Sequence, residues 1–175
     1  MNAWLLRGVA SYVGWAYHRD VVVRPESMAK LARAYCTRVG KPLLNIGAGT
    51  PASSLRALMF GPQLCGDVNI DIAAPRDVTH GKDRVSYGDA QQPAWPDKAF
   101  GAIFAAHVLE HLDRPDLAIA EWRRVADRVF VVSPSWWAPH TYAHPGHKWF
   151  LTNEGTKAYP LWTSQLRILP LPPLR

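Results

Sequence analysis

Lys41-Pro42-Leu43-Leu44-Asn45-Ile46-Gly47-Ala48-Gly49-Thr50-Pro51-Ala52-Ser53 decides how the rest of the chain is read. The apolar run 43–46 breaks into a glycine-rich turn and then into residues suited to a helix start, the strand, turn, helix order of a nucleotide-binding site. Gly47 and Gly49 permit backbone angles closed to residues with a Cβ and let a ligand lie against the main chain. The N–H groups that open the next helix have no partners within it, so they can face a polar ligand.

On the N-terminal side, residues 25–39 read as a helix: Pro25 suits its first turn, Glu26 its positive end, and Gly40 its stop. Residues 3–17 are apolar and aromatic, interrupted by Arg7, Gly8 and Gly14. As a helix they place Leu5, Val9, Tyr12, Val13 and Ala16 on one face, expected to pack on the protein's own core. The stretch is shorter than the roughly 20 residues a bilayer span needs, and it lacks the basic lead of a signal peptide. Residues 1–40 are thus expected as a helical segment that packs on or caps a core domain of residues 41–175.

On the C-terminal side, a helix is expected over 52–60, closed by Gly61 and Pro62, then strands over 68–72 and 84–87. A polar, proline-rich loop, 90–98, precedes an unbroken apolar run at 100–106. Pro115 opens a helix to 126 with Leu117, Ile119, Ala120 and Val125 inward, and 129–132 is the fifth strand. Short apolar runs without alternation are what a parallel sheet covered on both faces produces, so the fold class is α/β, a doubly wound, mostly parallel Rossmann-like sheet with helices on both faces. Thr152 could cap a short helix, residues 165–169 could form a last strand, and the proline-rich end is extended. No room is left for a further antiparallel strand, so the sheet is expected to be minimal.

Composition supports one folded unit: 48% of the 175 residues are hydrophobic and 19% charged, which excludes a disordered chain. Cys36 and Cys65 share no metal-binding spacing and read as reduced thiols of a cytoplasmic protein. The net charge of +6 lies in the N-terminal third, where eight Lys/Arg face only Asp20 and Glu26 before residue 67. An anionic partner, nucleic acid or membrane surface, is expected there if anywhere, against the plainer reading of a solvated basic face.

In a doubly wound sheet, ligands bind at the C-terminal ends of the strands, so the polar residues there belong together. Asp71 closes the second strand, where a carboxylate can take both hydroxyls of a ribose, and Asp89 closes the third, within reach of a purine amine. With Gly47-Ala48-Gly49, Gly88-Asp89-Ala90 and Ala106-His107-Val108-Leu109-Glu110-His111 in this order, residues 41–155 resemble class I S-adenosylmethionine-dependent methyltransferases of the small-molecule type. The resemblance implies S-adenosylmethionine as cofactor. Gly47, Ala48 and Gly49 would line its methionine part, Asp71 would hold the ribose, and Asp89 and Ala90 would meet the adenine. His107 would sit beside the methyl group as the first candidate base. Asn45 stands where these enzymes carry a carboxylate for the cofactor's ammonium; it keeps an acceptor oxygen and loses the charge. Pro51 replaces the third glycine and removes one N–H.

The loop 133–149 carries Trp136, Trp137, Tyr142 and Trp149 together with His140, His144 and His147, which are further candidate bases or structural residues. His107-x-x-Glu110-His111 matches a zinc-peptidase pattern, but that chemistry needs a helix and here the histidine follows a strand, so no metal is assigned. Two functions stay open: methyl transfer to an unidentified acceptor, or a catalytically inactive module binding through its basic aromatic N-terminus and Trp-rich loop. A nicotinamide enzyme fits less well, since Pro51 breaks the later glycine spacing.

Overall fold

The apolar runs become strands because both of their faces are buried. In the computed structural model, which describes residues 3–53, 55–151, 157–160 and 169–170, the runs form β1 (Leu43–Ile46), β2 (Val68–Asp71), β3 (Ser86–Tyr87), β4 (Phe100–Ala106) and β5 (Ala126–Val132). They pair in parallel in the order β3-β2-β1-β4-β5, which puts β1 and β4 at the centre and every C-terminal end on one rim.

Helices cover both faces. α1 (Ala3–His18), a π-helical turn (Arg19–Val23) and α2 (Arg24–Val39) lead into β1, and α4 (Pro115–Val125) joins β4 to β5. Successive β4 side chains show the two layers: Ala102 and Phe104 cluster with Ala29, Ala32 and Cys36 of α2, while Ile103 and Ala105 cluster with Ile119, Trp122 and Val125 of α4. Each large side chain buried here contributes about 1.5–3 kcal/mol through the hydrophobic effect. Gly101 is required by close approach, because a Cβ there would lie 3.0 Å from Val39 Cγ2 and 3.2 Å from Cys36 Sγ.

The N-terminal part departs from expectation. α2 has the expected bounds, with Pro25 in its first turn and Gly40 as its stop, but the chain stays helical without a break from Ala3 to Val39, with His18, Val23 and Arg24 all in right-handed helical angles. A proline inside a helix removes one N–H and crowds the carbonyl four residues back. The π turn absorbs that mismatch: Arg24 N–H donates to Arg19 O, five residues earlier. The apolar face expected to bury α1 is largely exposed; Val9, Tyr12 and Val13 face solvent and Ala16 is buried. α1 meets the 133–149 loop through Tyr12 and Trp15 on Trp137 and Tyr17 on His140, and not the sheet.

Other boundaries shift for local reasons. α3 (Leu55–Phe60) starts later than residue 52 because Thr50 and Ser53 close a turn of their own, Ser53 N–H donating to Thr50 O and Thr50 N–H to Ser53 Oγ. β5 follows α4 directly at Ala126, and β3 is only two residues long. The long loop holds a short helix, α5 (Pro139–Ala143). β6 (Trp149–Leu151), β7 (Lys157–Pro160) and β8 (Leu169–Pro170) pair antiparallel in a second, three-stranded sheet. The helix expected after Thr152 and most of the strand expected over 165–169 lie outside the described residues.

Candidate functional site

The glycine turn closes on the end of β2. Gly47 and Gly49 have φ of 72° and 80°, in the left-handed region. Gly47 also admits no side chain, since its Cβ would stand 2.3 Å from Val108 Cγ2. Gly47 N–H and Ala48 N–H both donate to Ile70 O, at 2.8 and 3.0 Å. Gly49 N–H donates to Asp71 Oδ2 at 3.0 Å, and Asp71 Oδ1 accepts from Ala73 N–H at 2.9 Å. Asp71 is buried, so its carboxylate ties the first strand end to the second. Asn45 lies beneath, its amide donating to Gln63 O and, at 3.0 Å, to Asn69 Oδ1.

Beyond β3, Asp89 Oδ1 accepts from Gln91 N–H at 2.8 Å. Asp89 borders a cavity of about 330 Å³ whose walls include His80, Tyr87, Gln92 and Trp95. Ala90 O accepts from Trp122 Nε1–H at 2.7 Å, which anchors this loop to the α4 layer.

His107, first after β4, takes a φ of 57°, a strained conformation for a residue other than glycine. Its N–H donates to Val132 O, which holds the ends of β4 and β5 together. Nε2 lies 2.9 Å from Asp20 O and Nδ1 3.2 Å from Glu110 Oε1. A carbonyl and an ionised carboxylate only accept, so with Glu110 ionised both ring nitrogens donate and the ring carries a positive charge. Burial opposes that charge, but hydrogen bonding and charge from Glu110, with help from Asp20, raise the His107 pKa. Burial likewise opposes Glu110 ionisation, and His107 overcomes it and lowers the Glu110 pKa.

The partner of His107 comes from the π turn. Asp20 is fully buried. Its Oδ2 accepts from Ser135 N–H at 2.8 Å, and its Oδ1 from Ser135 Oγ at 2.9 Å and Arg24 Nη1 at 3.0 Å. Arg24 also donates to Ser133 O and Ser135 Oγ. Burial pushes the Asp20 carboxyl up, and these donors outweigh it and hold it below the usual carboxylate range. His140 Nε2 stands 3.4 Å from Asp20 Oδ2. Burial, with the charge on His107, lowers its pKa although Asp20 opposes the shift. Sequence reasoning missed Asp20, Arg24 and Ser135 altogether; the one available signal was an isolated acid, Asp20, inside a basic and apolar run.

The loop histidines divide. His140 faces Asp20 and Tyr17, whereas His144 and His147 gather against His111, which ends the 3-10 turn Leu109–His111. A relay connects the two groups: Ser135 O accepts from Thr141 Oγ1 at 2.7 Å, and Thr141 O accepts from His147 Nδ1 at 2.9 Å. Burial lowers the pKa of both His144 and His147. The two thiols stay protonated, Cys36 pushed up by burial and Cys65 to about 11.

A parallel sheet in this order, with a glycine turn after β1 and carboxylates after β2 and β3, defines a doubly wound, Rossmann-like α/β domain. Residues 44–128 match the profile of the methyltransferase domain. That span runs from β1 into β5 and is what the chain shares with methyltransferase domains. Among curated proteins none matches the sequence. Solved structures similar in part include a candidate methyltransferase from Bacillus halodurans (18% identity, TM-score 0.39, 61% of this chain and 50% of that one). The [4+2]-cyclase SpnF is 25% identical with a TM-score of 0.32, over 56% of this chain and 41% of that one. A candidate methyltransferase seen in complex with a methyltransferase activator from Haloferax volcanii is 16% identical with a TM-score of 0.35, over 67% and 56%. The chain therefore spans 41% to 56% of the lengths of these relatives. Among the described residues, no helix is long and apolar enough to cross a membrane.

Proposed function

We propose that the chain is an S-adenosylmethionine-dependent methyltransferase acting on an acceptor that brings little need for a base. The observation that carries this reading is the convergence of the Gly47–Gly49 turn, Asp71, Asp89 and His107 on one rim of the sheet. The residues suit a nucleoside: each Asp71 oxygen uses one lone pair on a backbone N–H and keeps capacity for a ribose hydroxyl, and Asp89 borders a cavity with aromatic walls. Bound there, the cofactor supplies a methyl group already activated by a sulfonium.

The chain's own part is then alignment. Gly47, Ala48 and Gly49 would pass under the methionine portion, Asp71 would take the ribose, and Asp89 and Ala90 the adenine. Asn45 offers no charge to the ammonium, and its amide is already engaged. His107, at the mouth of β4, has both nitrogens donating, so it takes no proton while Asp20 O remains on Nε2. Orientation supplies much of the acceleration in such a transfer, and a base is needed only for an acceptor that must lose a proton.

The second reading, an inactive binding module, has its own support: the turn N–H groups, Asn45, Asp71 and His107 are all hydrogen-bonded within the protein. A basic binding surface has less support, since Arg24 pairs with Asp20, Arg33 with Asp67 and Lys41 with Asp127. Titration calorimetry with S-adenosylhomocysteine separates the two. Binding that Asp71→Ala abolishes supports the enzyme, and no heat up to about 1 mM, an affinity weaker than roughly −4 kcal/mol, removes it.

A further inference from the structure

The methyltransferase site leaves one group of side chains unused. His111 comes from the turn after β4, and His144 and His147 from the loop after β5. Their rings pack with centroids 4.5 to 5.2 Å apart, His144 stacked on His147 and His111 edge-on to both. Among the described residues no hydrogen bond joins the three rings. We infer that His111, His144 and His147 form a binding site for one divalent metal ion of the zinc class.

Four observations carry this inference. First, one nitrogen from each ring lies within 4.8 Å of the other two. A tetrahedral zinc site with Zn–N near 2.0–2.1 Å needs nitrogens about 3.4 Å apart, so the rings must close by roughly 1.5 Å. Second, two of the rings are held in a tautomer that can ligate a metal. His111 Nδ1 donates to Gly146 O and His147 Nδ1 to Thr141 O, both at 2.9 Å, which leaves each Nε2 lone pair free.

Third, the remaining ring can adjust. His144 is exposed, and its Nδ1 accepts only a 3.1 Å bond from Gly146 N–H, which a metal at that atom would replace. Fourth, the buried carboxylate of Glu110, the residue before His111, has an oxygen, Oε2, with no hydrogen-bond partner. Its negative charge acts on His144 and His147 and would compensate a dication beside them. Three imidazoles suit zinc, and with three protein ligands the fourth position stays open to water. The His107-x-x-Glu110-His111 pattern thus contributes only its second histidine, because Asp20 holds the first away in another network.

The site does not depend on methyl transfer, and metal binding tests it directly. The full chain, stripped with a chelator and dialysed, is titrated with Zn²⁺ by calorimetry and with Co²⁺ by visible absorption. One equivalent should bind, with Co²⁺ showing the intense visible bands of a four- or five-coordinate nitrogen site. His144→Ala, at an exposed position, should weaken Zn²⁺ by roughly 100-fold or more, as should His147→Ala, while His18→Ala should leave it unchanged. Circular dichroism establishes that each variant is folded, and His144→Ala decides the matter if His147→Ala is not. No saturable Zn²⁺ binding up to about 1 mM would overturn the site. Affinity unchanged in folded His144→Ala would overturn it equally.

Discussion

Asp20 and His107, 87 positions apart, are joined by a 2.9 Å hydrogen bond from the imidazole Nε2 to the aspartate's backbone carbonyl. That bond fixes the π turn of the N-terminal helix over the ends of the central strands. It also ties His107, the proposed site residue at the mouth of β4, to a distant segment of the chain.

Replacing Asp20 tests the clamp. Asp20→Asn keeps the shape but removes the charge and one acceptor, leaving Ser135 N–H or Arg24 short of a partner inside the protein. A loss of about 2–4 kcal/mol in urea unfolding is expected. Emission from the stacked pair Trp15 and Trp137, 5.9 Å apart, should change with it. Wild-type stability in the variant would mean that the clamp contributes nothing.

The same network sets a pH response. Asp20 is held below its ordinary value, so its contribution is complete above about pH 4 and is lost as pH falls through the folded value. His107 is held above its ordinary value, so its contribution is complete below about pH 6.5 and is lost as pH rises through the raised value. His140, lowered by burial, acts in the opposite sense and disfavours the acid part of that window. Arg24 keeps its charge throughout. The stability difference between wild type and His107→Asn, a residue that tolerates positive φ, should therefore shrink from pH 6 to 9. A difference that does not change with pH contradicts a charged His107.

Gly47→Ala combines a left-handed φ with a Cβ placed against Val108. The expected cost is at least about 2 kcal/mol. Val108→Ala in the same chain should recover part of it, leaving the backbone share. A double-mutant cycle on unfolding midpoints reads the coupling, and additivity would show that the steric contact is unimportant.

Trp122→Phe leaves Ala90 O without its 2.7 Å donor next to the expected adenine end. The loss should be about 1–3 kcal/mol, measured by thermal unfolding. It should also weaken S-adenosylhomocysteine binding, since the 89–95 loop loses its anchor; unchanged affinity would mean that the loop is held by other contacts.

The central strands β1 and β4 were readable because each is a short, mostly apolar run buried on both faces, a pattern that needs no partner to be recognised, and β2, β3 and β5 follow at the spacing such a sheet requires. The glycine turn, Asp71, Asp89 and His107 were readable for a similar reason: each sits at a fixed offset from such a run. Asp20 was not, because its burial depends on Ser135 and Arg24 arriving from two segments, and nothing local distinguishes it from a solvated acid. Pro25 marked the first turn of α2 and Gly40 its stop; what no local rule revealed is that a π turn joins α2 to α1 without a break. The exposed face of α1 misled: its periodicity is that of a buried helix, yet the sheet is already covered by α2 and α4.

The relay from Asp20 through Ser135 and Thr141 to His147 has a thermodynamic consequence. It forms a continuous hydrogen-bonded path between the N-terminal helix and the histidine cluster. Coupling free energy between two binding events is reciprocal, so if an ion at the histidine end tightens the helix, helix docking tightens the ion by the same amount. Undocking the helix to release His107 would then weaken the grip on that ion, and the two ends of the relay would act as one switch.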